Sequence, residues 1–323
     1  MRAPSFWQKR GSPAGIMLAP LGAVYLALAY LRSIAAKPHK AAATVICVGN
    51  VTMGGAGKTP AVLALAKLFR DQGKNPAILT RGYKGRLDNL IVKPEHTARD
   101  VGDEAIMLAR RFPTIVARNR SKGAELAKTI NADVIIMDDG FQNPTLFKDK
   151  SVLVFDGFVG IGNGMVFPAG PLRERFVPAL KRAAGAIIVG EDRTGIAPAI
   201  SAHIPVLEAH MVLDDGAVQS LRGKGTIAFA GIGRPEKFFR SLAQAGIDLK
   251  QATGFADHHC YSEKDIQALL DKANRTGCVL ATTEKDSVKI PKGFAQHITA
   301  VPAVLEIPRH DNLLELLKVD ENA

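Results

Sequence analysis

The run VICVGNVTMGGAGKTPAVLALAKLF, residues 45–69, constrains the fold more than any other part of the chain. It reads as an apolar strand, a glycine-rich turn, and a helix opened by Gly57-Lys58-Thr59, the pattern of a phosphate-binding loop. Glycines at 54, 55 and 57 let backbone N–H groups close on phosphate oxygens, and the helix N-terminus adds partial positive charge. In this pattern Lys58 reaches the β- and γ-phosphates of a nucleoside triphosphate and the Thr59 hydroxyl ligates Mg²⁺. Thr52, Met53, Gly54, Gly55, Ala56, Gly57, Lys58 and Thr59 are therefore the expected nucleotide-binding residues. The chain departs from the general G-x-x-x-x-G-K-[ST] pattern at one place, where Thr52 stands for Gly.

A phosphate loop needs an acid at the end of a neighbouring strand. Val134-Ile135-Ile136-Met137-Asp138-Asp139 supplies it: four apolar residues make a buried strand whose carboxylates emerge at the carboxyl end, where α/β sheets bind ligands. Asp138 or Asp139 is expected to hold Mg²⁺, directly or through water. Further continuous apolar strands at 76–80, 114–117, 151–155 and 186–189, separated by helical stretches such as 103–111 and 122–130, imply a parallel sheet covered on both faces. A composition shift at 192–205, with Gly195, Pro198 and Pro205, suggests a boundary, followed by a second α/β set from 226 onward. The expected organisation is an anchoring segment at 1–40, a P-loop NTPase-like domain at 41–195, and a smaller α/β domain at 205–323 that closes the cleft.

Charge is distributed unevenly. The formal net charge of the 323-residue chain is +11, yet no Asp or Glu precedes Asp71, and nine Lys and Arg lie in the first 70 residues. Next to this basic end, the 18 residues Ala14–Leu31 carry no charge, close to the roughly 20 apolar residues that cross a bilayer. Phe6, Trp7 and Tyr30 lie near its ends, as interfacial aromatics do, while Tyr25 sits further in and fits that belt less well. Pro20, inside the run, is tolerated in a membrane helix. A spanning helix, a helix lying in one leaflet, a buried core helix and a cleaved signal peptide are the readings such a segment allows, the last disfavoured because it would export the phosphate loop away from ATP; with basic residues on both sides, charge gives no orientation. Three scattered cysteines, Cys47, Cys260 and Cys278, make no CxxC or zinc pattern and fit a reducing compartment. Low aromatic content (6%) and the lack of an arginine-rich stripe with interleaved aromatics argue against a nucleic-acid partner.

The wider sequence resembles the tetraacyldisaccharide 4′-kinase family, the lipid A 4′-kinases. The likeness rests on Gly49-Asn50-Val51-Thr52-Met53-Gly54-Gly55-Ala56-Gly57-Lys58-Thr59-Pro60, whose Thr52 that family tolerates. It continues through Thr80-Arg81-Gly82-Tyr83, Val101-Gly102-Asp103-Glu104, Asp138-Asp139-Gly140-Phe141-Gln142, Gly162-Asn163-Gly164 and Pro168-Ala169-Gly170-Pro171-Leu172-Arg173-Glu174. In the second half it runs through Ala230-Gly231-Ile232-Gly233-Arg234-Pro235-Glu236, Asp257-His258-His259 and Thr283-Glu284-Lys285-Asp286. Arg175, Ala256 and Cys260 stand where the family commonly has Pro, which affects loop shape rather than the chemical groups.

The resemblance implies ATP- and Mg²⁺-dependent phosphorylation of the 4′-hydroxyl of a tetraacylated glucosamine disaccharide 1-phosphate. The reaction would take place at the cytoplasmic face of the inner membrane, with lipid as partner and no obligate protein partner. It implies Asp103 as base with His258 orienting it or sharing the proton. Taken alone, Asp103 also suits a helix N-terminus and His258 a loop. Arg173 is a candidate for phosphate or for the lipid's 1-phosphate, and Lys285 a weaker candidate for the nucleotide or the cleft. A different class, a membrane-associated P-loop ATPase that drives a protein partner, is the competing expectation.

Overall fold

Thirteen strands divide between two sheets in the computed structural model, which describes residues 4–54, 57–257, 259–308 and 310–318. In chain order they are β1 (Thr44–Gly49), β2 (Pro76–Thr80), β3 (Leu90–Ile91), β4 (Thr114–Val116), β5 (Val134–Asp138), β6 (Lys150–Asp156) and β7 (Gly185–Val189). There follow β8 (Val206–Leu213), β9 (Thr226–Ala230), β10 (Leu249–Gly254), β11 (Val279–Thr283), β12 (Ile298–Val301) and β13 (Ala303–Glu306).

The large sheet has the order β13-β8-β7-β6-β1-β5-β2-β4-β3. It is parallel except at its two edges, where β3 runs against β4 and β13 against β8. Central strands are apolar on both faces because both are covered. Val45 and Cys47 of β1 face one core, with Leu79, Met137 and Leu153, whereas Ile46 and Val48 face the other, with Leu65, Phe69 and Ile136. The second core is built on the helix Lys58–Asp71, whose Ala61, Val62, Leu65 and Ala66 are buried. Strand β5 lies between β1 and β2, and its register sets Val48 beside Asp138. The chain leaving β1 thus turns into its helix directly beside the acidic end of β5, the crevice where open α/β sheets take ligands.

The second sheet, β10-β9-β11-β12, is wholly parallel and has its own cores on its two faces. Its position differs from the expected division at 195–205. Strands β8 and β13 belong to the large sheet, the second sheet is inserted between them, and the helix His310–Leu317 returns to bury Leu313 and Leu317 against the large sheet. Entry and exit of the inserted unit touch where Asp214 N–H donates to Pro302 O at 3.0 Å. The sequence boundary misplaces these segments because β8 alternates buried and exposed positions, and its partner β13 lies about ninety residues away along the chain.

The N-terminal helix Pro13–Ala35 runs unbroken through Pro20, about 35 Å at 1.5 Å per residue. Only Gly15 and Gly22 of it are buried, and Ile16, Met17, Leu21, Val24, Leu28, Leu31 and Ile34 are exposed. Tyr25, which fits an interfacial belt poorly, packs edge-on against Phe167 with ring centroids 5.7 Å apart.

Candidate functional site

The site is assembled around the end of β1. Gly57 takes the left-handed conformation (φ +83°) as N-cap of the helix Lys58–Asp71, and a Cβ there would lie 3.3 Å from Val189. Glycine alone satisfies both conditions readily. Lys58, the first helical residue, is held by Asn50, whose Oδ1 accepts from its ammonium at 3.3 Å, and Asn50 Nδ2 donates in turn to Thr52 Oγ1 at 3.3 Å. Gln142 Nε2 donates to Asn50 O and to Glu174 Oε1, both at 2.9 Å. Gly55, Ala56 and His258, all expected in the site, lie outside the described residues.

Asp139 receives two cations. Lys58 Nζ lies 3.6 Å from Oδ1, and Arg173 makes a fork of hydrogen bonds, Nη1 to Oδ1 at 2.8 Å and Nη2 to Oδ2 at 3.2 Å. Burial alone would raise this carboxyl, but Lys58 and Arg173 hold it below the usual range. Asp138 behaves differently. Buried, it accepts from Thr80 Oγ1 at 3.2 Å. Desolvation, with the negative charges of Glu104 and Asp139, pushes its carboxyl up to about 7 against the opposing pull of Lys58 and Arg120. Arg120, itself buried, donates to Ala117 O at 2.7 Å and Asp138 O at 3.1 Å, fixing the end of β5. One carboxylate is therefore held ionised by its two cations, whereas burial favours the protonated form of its neighbour.

Asp103 opens the helix Asp103–Ala109 and is buried, with Oδ1 accepting from Glu104 N–H at 2.9 Å. The Thr80–Tyr83 and Val101–Glu104 segments meet: a Cβ on Gly102 would come within 2.5 Å of Tyr83 O. From the inserted unit, Lys285 Nζ reaches Glu104 Oε1 at 2.8 Å. Burial works against that ammonium, yet Glu104, Asp103 and Asp257 together raise its pKa. His259, adjacent to the expected His258, is occupied elsewhere: it stacks on Phe255 at 4.8 Å and lies 3.4 Å from Asp265 Oδ2.

Asn50, Gln142 and Glu104 carry no role that the sequence alone assigns. Asn50 and Gln142 lie within the quoted motifs, and their polar side chains flanking a phosphate loop were the available signal. The Glu104–Lys285 pairing joins residues 181 positions apart, which no local pattern reveals.

A parallel α/β sheet with a phosphate loop after its central strand and paired acids on the neighbouring strand defines a P-loop nucleotide-binding protein. The family model described as tetraacyldisaccharide-1-P 4′-kinase matches residues 14–320. The chain is 47% identical over 295 residues to the tetraacyldisaccharide 4′-kinase of Nitrobacter winogradskyi, covering 90% of this chain and 87% of that protein. It is also 47% identical over 321 residues to that of Methylobacterium nodulans, covering 97% and 94%. Its fold is similar to a crystal structure of LpxK from Aquifex aeolicus in complex with ATP, with a TM-score of 0.76 and 27% identity over 94% of this chain and 98% of that one. The chain belongs to the tetraacyldisaccharide-1-P 4′-kinase family.

Proposed function

We propose that this protein transfers the γ-phosphoryl group of ATP to the 4′-hydroxyl of a tetraacylated glucosamine disaccharide 1-phosphate, the 4′-phosphorylation step of lipid A biosynthesis. The observation that carries this reading is the convergence of Lys58, Arg173 and Asp139 at the mouth of the phosphate loop, in a chain of this family. In the resting site Asp139 pairs with both cations and offsets one of their two charges. When the triphosphate enters, Lys58 and Arg173 turn from Asp139 to the phosphates, where they stabilise the charge that develops on the transferred group. This geometry favours Arg173 as a ligand of the transferred phosphate over the lipid's 1-phosphate.

The donor set fits Mg²⁺: a hydroxyl and two carboxylates are hard oxygen ligands. Thr59, Asp138 and Asp139 would hold the ion, which neutralises phosphate charge when bound. Asp103 accepts the proton of the attacking hydroxyl, and His258 orients Asp103 or shares that proton. Asp103 lies at a helix start, beside the Glu104–Lys285 pair that joins the two units. The apolar helix Pro13–Ala35, long enough to span or to lie in one leaflet, attaches the protein to the inner membrane beside a basic flank, with the catalytic units on the cytoplasmic side where an acylated anionic acceptor is reached.

The test is incubation of the purified protein with ATP labelled on its γ-phosphate, Mg²⁺ and the disaccharide lipid. Label on the lipid at the 4′-position is expected. ATP hydrolysis that a protein stimulates, with no labelled lipid, would instead support a P-loop ATPase driving a partner. Asp103→Asn should lower lipid phosphorylation by on the order of 10²-fold while ATP binding stays within about twofold of the unsubstituted protein; lost ATP binding would refute the base assignment.

A further inference from the structure

We propose that the N-terminal segment, through Trp7 and the glycine face of its helix, is a positioning element for the phosphate loop. The inference rests on the reading of that loop as the ATP site and adds to it a structural route from the apolar helix to the nucleotide.

The route is a continuous set of contacts. The segment 163–173 contains no helix or strand of its own, so its backbone groups need partners from outside. The N-terminus supplies several. Asn163 N–H donates to Trp7 O at 2.6 Å, and the Trp7 indole Nε1–H donates to Pro168 O at 3.0 Å. The Asn163 side chain relays the connection, with Nδ2 donating to Ala169 O at 2.9 Å and Oδ1 accepting from Met165 N–H at 3.0 Å. Phe167 is packed edge-on by both Trp7, at 6.1 Å, and Tyr25, at 5.7 Å. Gly15 and Gly22, seven residues apart and so on one helix face, let the helix backbone settle on the segment. A Cβ on Gly22 would lie 3.2 Å from Val166 O, and one on Gly15 would lie 3.2 Å from Ala169 O.

The far end of the same segment grips the phosphate loop. Leu172 N–H donates to Met165 O at 3.0 Å, and Phe167 N–H to Leu172 O at 2.8 Å, which closes the segment on itself. Leu172 then pairs with Thr52 in an antiparallel bridge. Arg173 N–H donates to Val51 O, and Met53 N–H donates to Pro171 O, both at 2.7 Å. The strand-like clamp holds Val51, Thr52 and Met53, the first residues of the loop, and aims the Arg173 guanidinium at Asp139. Loosening the N-terminal contacts frees the segment whose other end fixes both the loop's backbone and Arg173.

This role is separable from attachment to lipid, because nucleotide binding can be measured in detergent micelles with no membrane present. The experiment titrates ATP with Mg²⁺ into the full-length chain and into Trp7→Ala, Gly22→Ala and Gly22→Leu variants, with thermal melting recorded for each. Trp7→Ala and Gly22→Leu should raise the Kd for ATP by roughly 2- to 30-fold at temperatures well below their melting transitions. Gly22→Ala, which adds one methyl group, should give a smaller shift in the same direction. Variants that melt earlier yet bind ATP with the unsubstituted protein's Kd would overturn the proposal and leave the N-terminus a purely structural element. If Gly22→Leu does not fold, the graded Gly22→Ala and Trp7→Ala comparison decides. Failure of the unsubstituted protein to bind ATP would refute the nucleotide reading of the loop and this inference with it, an outcome distinct from unchanged binding in the variants.

Discussion

The two sides of the site are built by different means. On the phosphate side, the loop and its acids are held by main-chain pairing within one sheet and by the clamp from 163–173: β1 pairs with β5, Val51 and Met53 with Arg173 and Pro171, and Arg120 closes the end of β5. On the acceptor side proposed for Asp103, the large sheet meets the inserted unit, and side-chain ion pairs cross between them beside the apolar contact of Val288 with the large sheet's core. Lys285 meets Glu104 at 2.8 Å and Arg111 meets Glu284 at 2.9 Å, while on another flank Lys237 meets Asp156 at 3.0 Å, with Arg234 on the same carboxylate. Main-chain pairing is insensitive to salt, and partly exposed ion pairs are screened by it. On the proposed function, the phosphate grip would exist before ATP arrives, and closure of the inserted unit over the acceptor would act through these salt-sensitive pairs.

The largest effect should come from the rigid side. Lys58→Ala removes the charge proposed to meet the transferred phosphate and should lower kcat by on the order of 10³-fold with little change in melting temperature; a drop below about tenfold would break the contrast. Lys285→Met tests the movable side. It should lower kcat roughly threefold to tenfold and flatten the decline of kcat with rising salt. An unaltered salt profile would mean that closure does not run through this pair.

Asp138 gives the smallest effect, read in stability and pH. Its folded-state carboxyl is raised to about 7 from 3.8. Below pH 3.8 it is protonated whether folded or unfolded. Between 3.8 and about 7 the unfolded chain ionises it and the folded chain does not, so its contribution to stability falls as pH rises and then levels off. Without ligand, the melting temperature of Asp138→Asn minus that of the unsubstituted protein should rise by a few degrees across that window and then stay flat. A difference independent of pH would contradict the burial argument.

Much of this was legible beforehand. Strands β1, β2, β5, β6, β7, β9 and β11 are continuous apolar runs because both faces of each sheet are covered, and such runs stand out without knowledge of their partners. The phosphate loop and the acids at 138 and 139 were legible for a related reason: their chemistry is local, set by residues within a few positions of a strand end. What stayed hidden depends on distant pairing. Strand β8 alternates and carries Glu208 and His210, and β13 has four residues, so neither shows its place until the inserted unit is folded out. Lys285 acquires a role only when Glu104, 181 residues away, comes beside it. Trp7 reads as an interfacial aromatic, and its indole N–H turns out to hold Pro168 O.

The most direct test of the central claim is the structure of the protein with a non-hydrolysable ATP analogue and Mg²⁺. The terminal phosphate should sit against Lys58 and Arg173, the Arg173–Asp139 fork should open, and the metal should rest on Thr59 and the Asp138–Asp139 pair. A nucleotide bound elsewhere, with Arg173 still on Asp139 and Lys58 turned away from phosphate, would contradict that claim.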